Sequence, residues 1–154
     1  MIPAPAKTEP DVADLIASEC LGYRIRLLSR TLSGIYDTAL RPLGLTAGQL
    51  NILVAIAKLG PVSSSEVSKR LSMEKSTVSR NLDRMKSHGW IKATPGATGN
   101  THLLSVSPVG HRLLGKALPL WKEAQFEAKT LLGQRGAKSI QQAADSISAR
   151  RSRT

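Results

Sequence analysis

The 154-residue chain contains few aromatic residues, one cysteine and three histidines. Aromatic residues make up 3% of the sequence, which argues against an aromatic-lined sugar site or a base-stacking surface. A single cysteine excludes an intrachain disulfide framework and a four-cysteine zinc site. The histidines are too scattered along the sequence to form a local metal cluster, so we expect no metal or other cofactor.

The sequence also has no apolar run of the kind that membranes require. The first residues, MIPAPAKTEPDVADL, do not form the charged segment and apolar run of a signal peptide. A membrane-spanning helix needs about 18 or more consecutive apolar residues, and none are present. We therefore expect a cytoplasmic protein with no membrane partner.

Basic residues are in clear excess over acidic ones. The net charge is +11, and hydrophobic residues make up 41%, enough for a folded core. Residues 1–57 are neutral overall, whereas residues 58–110 carry +5 and residues 111–154 carry +6. This excess favours an anionic partner, with nucleic acid as the first choice and a membrane surface as the second.

Apolar periodicity and capping signals predict a mainly helical chain. Residues 1–11 read as a mobile arm, and one long helix is expected from about 12 to 40, ending near Pro42. Capping boxes at Thr46 and Ser63 predict helices over about 47–58 and 64–70. A further helix is expected over 74–88, with strands over 90–94 and 102–106 as a β-hairpin.

The C-terminal part of the sequence predicts two more helices. Ser107 and Pro108 have the residue types of an N-cap and a first helical position. Pro119 is expected to kink this helix, and Gly133 and Gly136 to end it before a last helix from about 137 to 149.

Two helices with a short break, followed at once by a hairpin, are typical of a winged helix–turn–helix, which predicts a mainly α fold with a small β-hairpin. The second helix of such a unit normally enters the major groove of DNA. Outside its apolar stripe, this helix carries hydroxyl, amide and guanidinium groups that suit phosphates and base edges. These residues are Lys75, Ser76, Thr77, Ser79, Arg80, Asn81 and Arg84.

The stretch LRPLGLTAGQLNILVAIAKLGPVSSSEVSKRLSMEKSTVSRNLDRMKSHGWIK resembles the core of MarR-type (multiple antibiotic resistance regulator) winged-helix transcription factors. The resemblance covers roughly residues 20–130, and its most specific part is residues 73–82. It implies a homodimer in which residues 12–45 and 108–154 form dimerisation helices around a DNA-binding domain of residues 46–107. It also implies a regulator of a promoter with a pseudo-palindromic operator, most simply a repressor relieved by a small ligand or an oxidant.

The resemblance further implies contacts to double-stranded DNA from Lys75, Ser76, Thr77, Ser79, Arg80 and Arg84, and phosphate contacts from Ser64 and Ser65. The sequence departs from the family in the wing, where most relatives carry an arginine that enters the minor groove. Here the tip reads PGATGNTHLL, and Asn100, Thr101 and His102 stand near that place.

Two regulatory features are open to more than one interpretation. Some MarR-type regulators sense peroxide through a cysteine in the first helix, so Cys20 is a candidate redox sensor, while a packing thiol is the alternative. Signal molecules in this family often bind between the dimerisation helices and the winged domain. The candidate pocket residues are Tyr23, Arg24, Tyr36 and Trp121, for which core packing is an equally good explanation.

Three classes of function compete for this sequence. An enzyme is disfavoured because the sequence has no nucleophile–base set, phosphate-binding glycine loop or ligand cluster. A sequence-specific regulator is the leading hypothesis, and an architectural or non-specific DNA-binding protein without an inducer is the alternative. The two differ in their preference for one site over random DNA, which is roughly 10³-fold or more for a regulator.

Overall fold

The computed structural model describes residues 11–151, which form two compact units divided after Gly34. The predicted arm therefore lies outside the described residues except for Asp11, and so does Arg153. Among the described residues, no single helix has the length and apolar content of a membrane span. Only the two helical segments 21–43 and 47–59, taken together across a bend, reach that apolar content.

The first unit contains helix α1, Val12–Glu19, and most of helix α2, Leu21–Leu40. The prediction of one continuous helix is wrong at Cys20, whose backbone is extended with ψ 109°. Cys20 ends α1 by donating its N–H to the Ile16 carbonyl, and its Sγ accepts the Tyr23 N–H at 3.4 Å. The Arg24 guanidinium donates to the carbonyls of Ser18 and Cys20, and at Ser18 it takes the place of a backbone donor of a continuous helix. The Cys20 carbonyl still accepts the Arg24 N–H at 3.4 Å.

The second unit begins within α2, which ends at Leu40 before a 3₁₀ turn, Arg41–Leu43. Helix α3, Ala47–Leu59, and helix α4, Ser64–Leu71, follow. Both predicted capping boxes are confirmed, since the Thr46 and Ser63 side chains each accept a backbone N–H three residues ahead. Asp37 adds a support that the sequence pattern did not reveal, because its Oδ1 accepts the Ala47 N–H at 2.7 Å.

Helix α5, Lys75–Ser87, leads into a three-stranded antiparallel sheet. The predicted hairpin is confirmed as β2, Ile91–Pro95, and β3, His102–Val106. A third strand, β1, Val62–Ser63, pairs with β3 so that Val62 lies opposite Leu104. The strand order is β1–β3–β2, and β1 was missed because two residues carry no alternation pattern.

The last element is helix α6, Pro108–Arg151, which contains one break. Its start is capped as predicted, because the Ser107 Oγ accepts the Gly110 N–H at 3.0 Å. Pro119 keeps helical φ and ψ, and the predicted break lies at Gly133, the only residue inside α6 with non-helical backbone angles, at φ 67° and ψ 163°. A proline removes one hydrogen bond but has a helical φ, whereas a positive φ cannot continue a right-handed helix.

The hydrophobic core lies within the second unit, between helices α3, α4 and α5, the sheet and the first turns of α6. Ile52, Val67, Val78 and Met85 are at most 1% exposed. This core holds α4 and α5 against the sheet, and it thereby sets which side of α5 is presented to solvent.

Candidate nucleic-acid interface

Helix α5 has one buried face and one exposed face of opposite chemistry. Val78, Leu82 and Met85 are buried at spacings of four and three residues, which places them on one side of the helix. The other side bears two hydroxyl groups and three cations that are all exposed. These residues are Lys75, Ser76, Ser79, Arg80 and Arg84.

Two of the predicted contact residues on α5 are only partly accessible. Thr77 is half-buried, and so is Asn81, whose Nδ2 donates back to the Thr77 carbonyl at 2.9 Å. One amide hydrogen of Asn81 is therefore used within the helix. The exposed part of the predicted set consequently consists of three cations and two serine hydroxyls, a larger share of positive charge than the sequence alone indicated.

A turn around Ser72 joins α4 to α5. Ser72 adopts the left-handed conformation, with φ 54°, and its N–H donates to the Lys69 carbonyl at 3.3 Å. The buried Ser68 holds the far side of this turn, because its Oγ donates to the Met73 carbonyl at 2.6 Å. Sequence reasoning missed Ser68, because no sequence pattern shows that this serine is buried or that its hydroxyl bonds to the Met73 carbonyl.

The start of α4 presents two exposed hydroxyls beside a charged cap. Ser64 and Ser65 occupy its first turn and are exposed. The Glu66 carboxylate accepts hydrogen bonds from the side chain and the backbone N–H of Ser63, and these hydrogen bonds hold its pKa below the usual value. Glu66 is thus engaged in capping, which leaves the adjacent serine hydroxyls to meet a ligand.

A groove of about 490 Å³ brings the three predicted contact segments together. It is lined by Ser64 and Ser65 of α4, by Ser79 of α5, and by the hairpin residues 100–102. Lys86 also lines it, and this residue was not among the predicted contacts. Its Nζ lies 3.3 Å from Asp83 Oδ1 in an exposed ion pair, so it adds positive charge beside a partly compensating carboxylate.

The wing tip is held by its own backbone and carries no formal charge between residues 93 and 101. The Gly96 N–H donates to the Thr101 carbonyl at 2.6 Å, and the Thr101 N–H donates to the Thr98 carbonyl at 2.9 Å. A Cβ on Gly96 would lie 2.9 Å from the Thr101 oxygen, so this turn requires glycine. Asn100 and His102 are exposed, and Thr101 is half-buried.

The four candidate pocket residues are divided between the two units, Tyr23 and Arg24 in the first and Tyr36 and Trp121 in the second. In the second unit, the Tyr36 hydroxyl donates to the Gln125 side-chain oxygen, and burial raises the pKa of Tyr36. Trp121 is 37% exposed. In the first unit, Tyr23 is 60% exposed, and the Arg24 guanidinium is bound to the backbone carbonyls at the α1–α2 break.

Titratable residues do not cluster in the way that a metal centre needs. Within residues 11–151, no group of three or more His, Cys, Asp or Glu side chains has the arrangement to hold a metal ion. The residues of the candidate interface offer hydroxyl, amide and cationic hydrogen-bond donors.

Comparison with known proteins gives a consistent match. A family model described as the MarR family matches residues 43–99. The multiple antibiotic resistance protein MarR of Salmonella typhimurium is 32% identical over 75 residues, which cover 49% of this chain and 52% of that protein. The chain thus spans about half the length of the first curated relatives that it matches.

Solved structures extend the likeness over most of the chain. The transcriptional regulator MosR of M. tuberculosis, solved in complex with DNA, is 34% identical; the match covers 84% of this chain and 98% of that one, with a TM-score of 0.68. A MarR mutant from E. coli complexed with operator DNA has a TM-score of 0.76 over 86% of this chain and 96% of that one. At 21% identity, the E. coli structure shows the fold alone. The MosR match and the family model together show that this chain belongs to the MarR family.

Proposed function

We propose that this chain is a homodimeric, sequence-specific DNA-binding transcription regulator, acting as a repressor at a promoter with a pseudo-palindromic operator. The observation that carries the proposal is the groove in which the α4 serines, Ser79 of α5 and the hairpin residues 100–102 meet, beside the exposed face of α5. Such a helix face suits the major groove, with Arg80 and Arg84 available for guanine and Lys75 for phosphate. MosR, at 34% identity, was solved in complex with DNA, which supports this choice of partner.

Exposed apolar residues on the helices outside the winged region support the homodimer. A chain that stayed monomeric would leave these residues in contact with water, which is unusual over so many positions. In the first unit they are Val12, Leu15, Ile16, Leu21, Tyr23, Ile25 and Leu27. On α6 they are Leu118, Trp121, Phe126, Leu131, Ile140 and Ile147.

The dimer is tested by sedimentation equilibrium with Phe126→Glu. Phe126 is 74% exposed, so the substitution leaves the core intact and places a charge in the proposed interface. We expect the variant to shift towards the monomer mass, whereas Phe126→Leu, which keeps the side chain apolar, should keep the wild-type mass. A wild-type chain that sediments as a monomer at micromolar concentration contradicts the homodimer.

Sequence specificity is tested by selection from random duplex DNA, followed by fluorescence anisotropy at fixed salt. A regulator prefers its selected site over random DNA by roughly 10³-fold or more. Arg80→Ala should weaken specific binding by about 1–3 kcal/mol if the guanidinium contacts a base, whereas Arg135→Ala, an exposed arginine of α6, should have little effect. Equal affinity for selected and random DNA identifies the alternative, an architectural or non-specific binder.

Relief of repression by a small ligand or by oxidation of Cys20 is part of the same proposal. The half-buried Cys20 supports the oxidative route, because its Sγ accepts the Tyr23 N–H at the start of α2. Oxidation to a sulfenic acid changes the size and polarity of that acceptor. Wild type and Cys20→Ser are treated with peroxide and assayed for DNA release; equal responses reject Cys20 as the sensor.

A further inference from the structure

The C-terminal end of α6 lies against the helix–turn–helix, far from it in sequence. The Arg151 guanidinium donates to the Ser72 Oγ, across 79 positions of the chain. Ser72 is the left-handed residue of the turn that joins α4 to α5. The last described residue of α6 is therefore positioned at the entrance to the helix that carries the proposed DNA contacts.

Two cavities meet at Ser72 and connect this contact to the interface. The first, of about 600 Å³, is lined by Ser72, by Lys69 and Arg70 of α4, and by Ile147 and Arg151 of α6. The second, of about 430 Å³, is lined by Ser72 and Lys69 together with Ser65 and Lys75. Ser65 and Lys75 are proposed contact residues, so Arg151 lies next to the interface and on a continuous surface with it.

The charge around this turn is positive. The two cavities are lined by four cationic side chains, Lys69, Arg70, Lys75 and Arg151, and by two carboxylates, Glu66 and Glu74. The Glu66 carboxylate is bound to Ser63, as described above. All four cations are exposed, so an anion can reach them without burying an unpaired charge.

We propose that Arg151, together with Lys69, extends the DNA interface beyond α5 to the phosphates that flank the helix–turn–helix. This inference rests on the proposed function and deepens it, since it assigns part of the C-terminal positive charge to DNA binding. A guanidinium at this place contacts phosphate and not base edges, so it strengthens binding to every sequence by a similar factor. The hydrogen bond to Ser72 orients Arg151 before DNA arrives.

The test measures the salt dependence of binding to random-sequence duplex DNA by fluorescence anisotropy. Each phosphate contact contributes about 0.9 to the slope of log affinity against log salt concentration. Arg151→Gln should reduce the magnitude of the slope by about 0.9 per bound subunit, so its binding defect relative to wild type shrinks by about eightfold per bound subunit over a tenfold rise in salt. Arg151→Lys keeps the charge and should keep most of the slope.

Arg135→Gln removes the same charge from α6 at a residue that lines neither cavity, and it is the matched control. If Arg151→Gln and Arg135→Gln have equal slopes, Arg151 makes no phosphate contact and the inference is overturned. Tighter binding by Arg151→Gln also overturns it, because α6 then covers the turn and opposes binding. Arg80→Ala is measured in parallel on the selected site: if it leaves binding to that site unchanged, the proposed interface fails as a whole, and not the C-terminal extension alone.

Discussion

Replacing Gly110 with alanine should destabilise the winged unit, although the substitution lies in a helix that alanine favours. A Cβ at Gly110 would stand 2.8 Å from Val106 Cγ1 and 3.1 Å from the Trp90 carbonyl carbon, and it would lie closer still to the Trp90 oxygen. These distances are shorter than carbon atoms tolerate, and one of the neighbours is backbone that cannot rotate away. The start of α6 or the segment at Trp90 has to move instead.

The magnitude follows from two opposing effects. Overpacking of a well-filled site costs about 1–3 kcal/mol and occasionally more. Alanine recovers about 1 kcal/mol of helix propensity over glycine. Because the clash involves backbone, we expect the upper part of the overpacking range and a net loss of about 2 kcal/mol. At about 2–4 °C per kcal/mol, this lowers Tm by roughly 4–8 °C.

The assay is thermal unfolding followed by circular dichroism, with Gly115→Ala as the matched control. Gly115 lies on the same helix, and a Cβ there meets no atom within 4 Å. The control should therefore gain up to about 1 kcal/mol from helix propensity. If Gly110→Ala is as stable as wild type, the close approach of α6 to Trp90 is not the constraint that we describe.

Three further predictions concern single hydrogen bonds. Ser68→Ala removes the hydroxyl that donates to the Met73 carbonyl at 2.6 Å, so it should lower the free energy of unfolding by about 1–2 kcal/mol. The measurement is a urea titration, and an unchanged midpoint of urea unfolding contradicts the prediction. The pKa of Glu66 is lowered in the folded state, so its contribution to stability is present above its unfolded pKa and is lost as pH falls through the folded pKa. Glu66→Gln should therefore reduce the loss of unfolding free energy at acid pH. An unchanged acid dependence of the unfolding free energy argues against the cap. Tyr36→Phe should cost about 0.5–1.5 kcal/mol by removing a hydroxyl hydrogen bond, as measured by chemical denaturation. The pKa of Tyr36 is raised, so its contribution is present below pH 10 and is lost as pH rises through the folded pKa; identical alkaline limbs for wild type and Tyr36→Phe refute that assignment.

Features encoded over a few neighbouring residues were predicted well from the sequence. The capping boxes at Thr46 and Ser63, the stop near Pro42 and the Ser107 cap depend on residues three or four positions apart, and each is confirmed. The break at Cys20 was missed, since it requires a thiol to act as a cap and Arg24 to bind the freed Ser18 carbonyl. The sequence periodicity simply continues across that residue.

The contact residues on α5 were predicted by type and spacing, but their accessibility was not. Burial separates the exposed Arg80 from Asn81, which is half-buried and bound to its own helix. Lys86 was passed over because nothing near it in sequence indicates that it lines a groove with the hairpin tip. Direct contact of each residue with DNA stays a prediction.

The sequence by itself determined the order of the hairpin and of the helices around it, the excess of positive charge and the helix that displays much of it. The elements follow from local spacing, since apolar residues recur every 3.6 residues in a helix and every two residues in a strand, and a capping residue bonds within the first turn. Only the tertiary structure decided that the α4 serines meet the hairpin tip, that β1 completes the sheet and that Arg151 reaches Ser72. Such contacts join segments separated by tens of residues, and they depend on how the buried faces pack together, which no local pattern specifies.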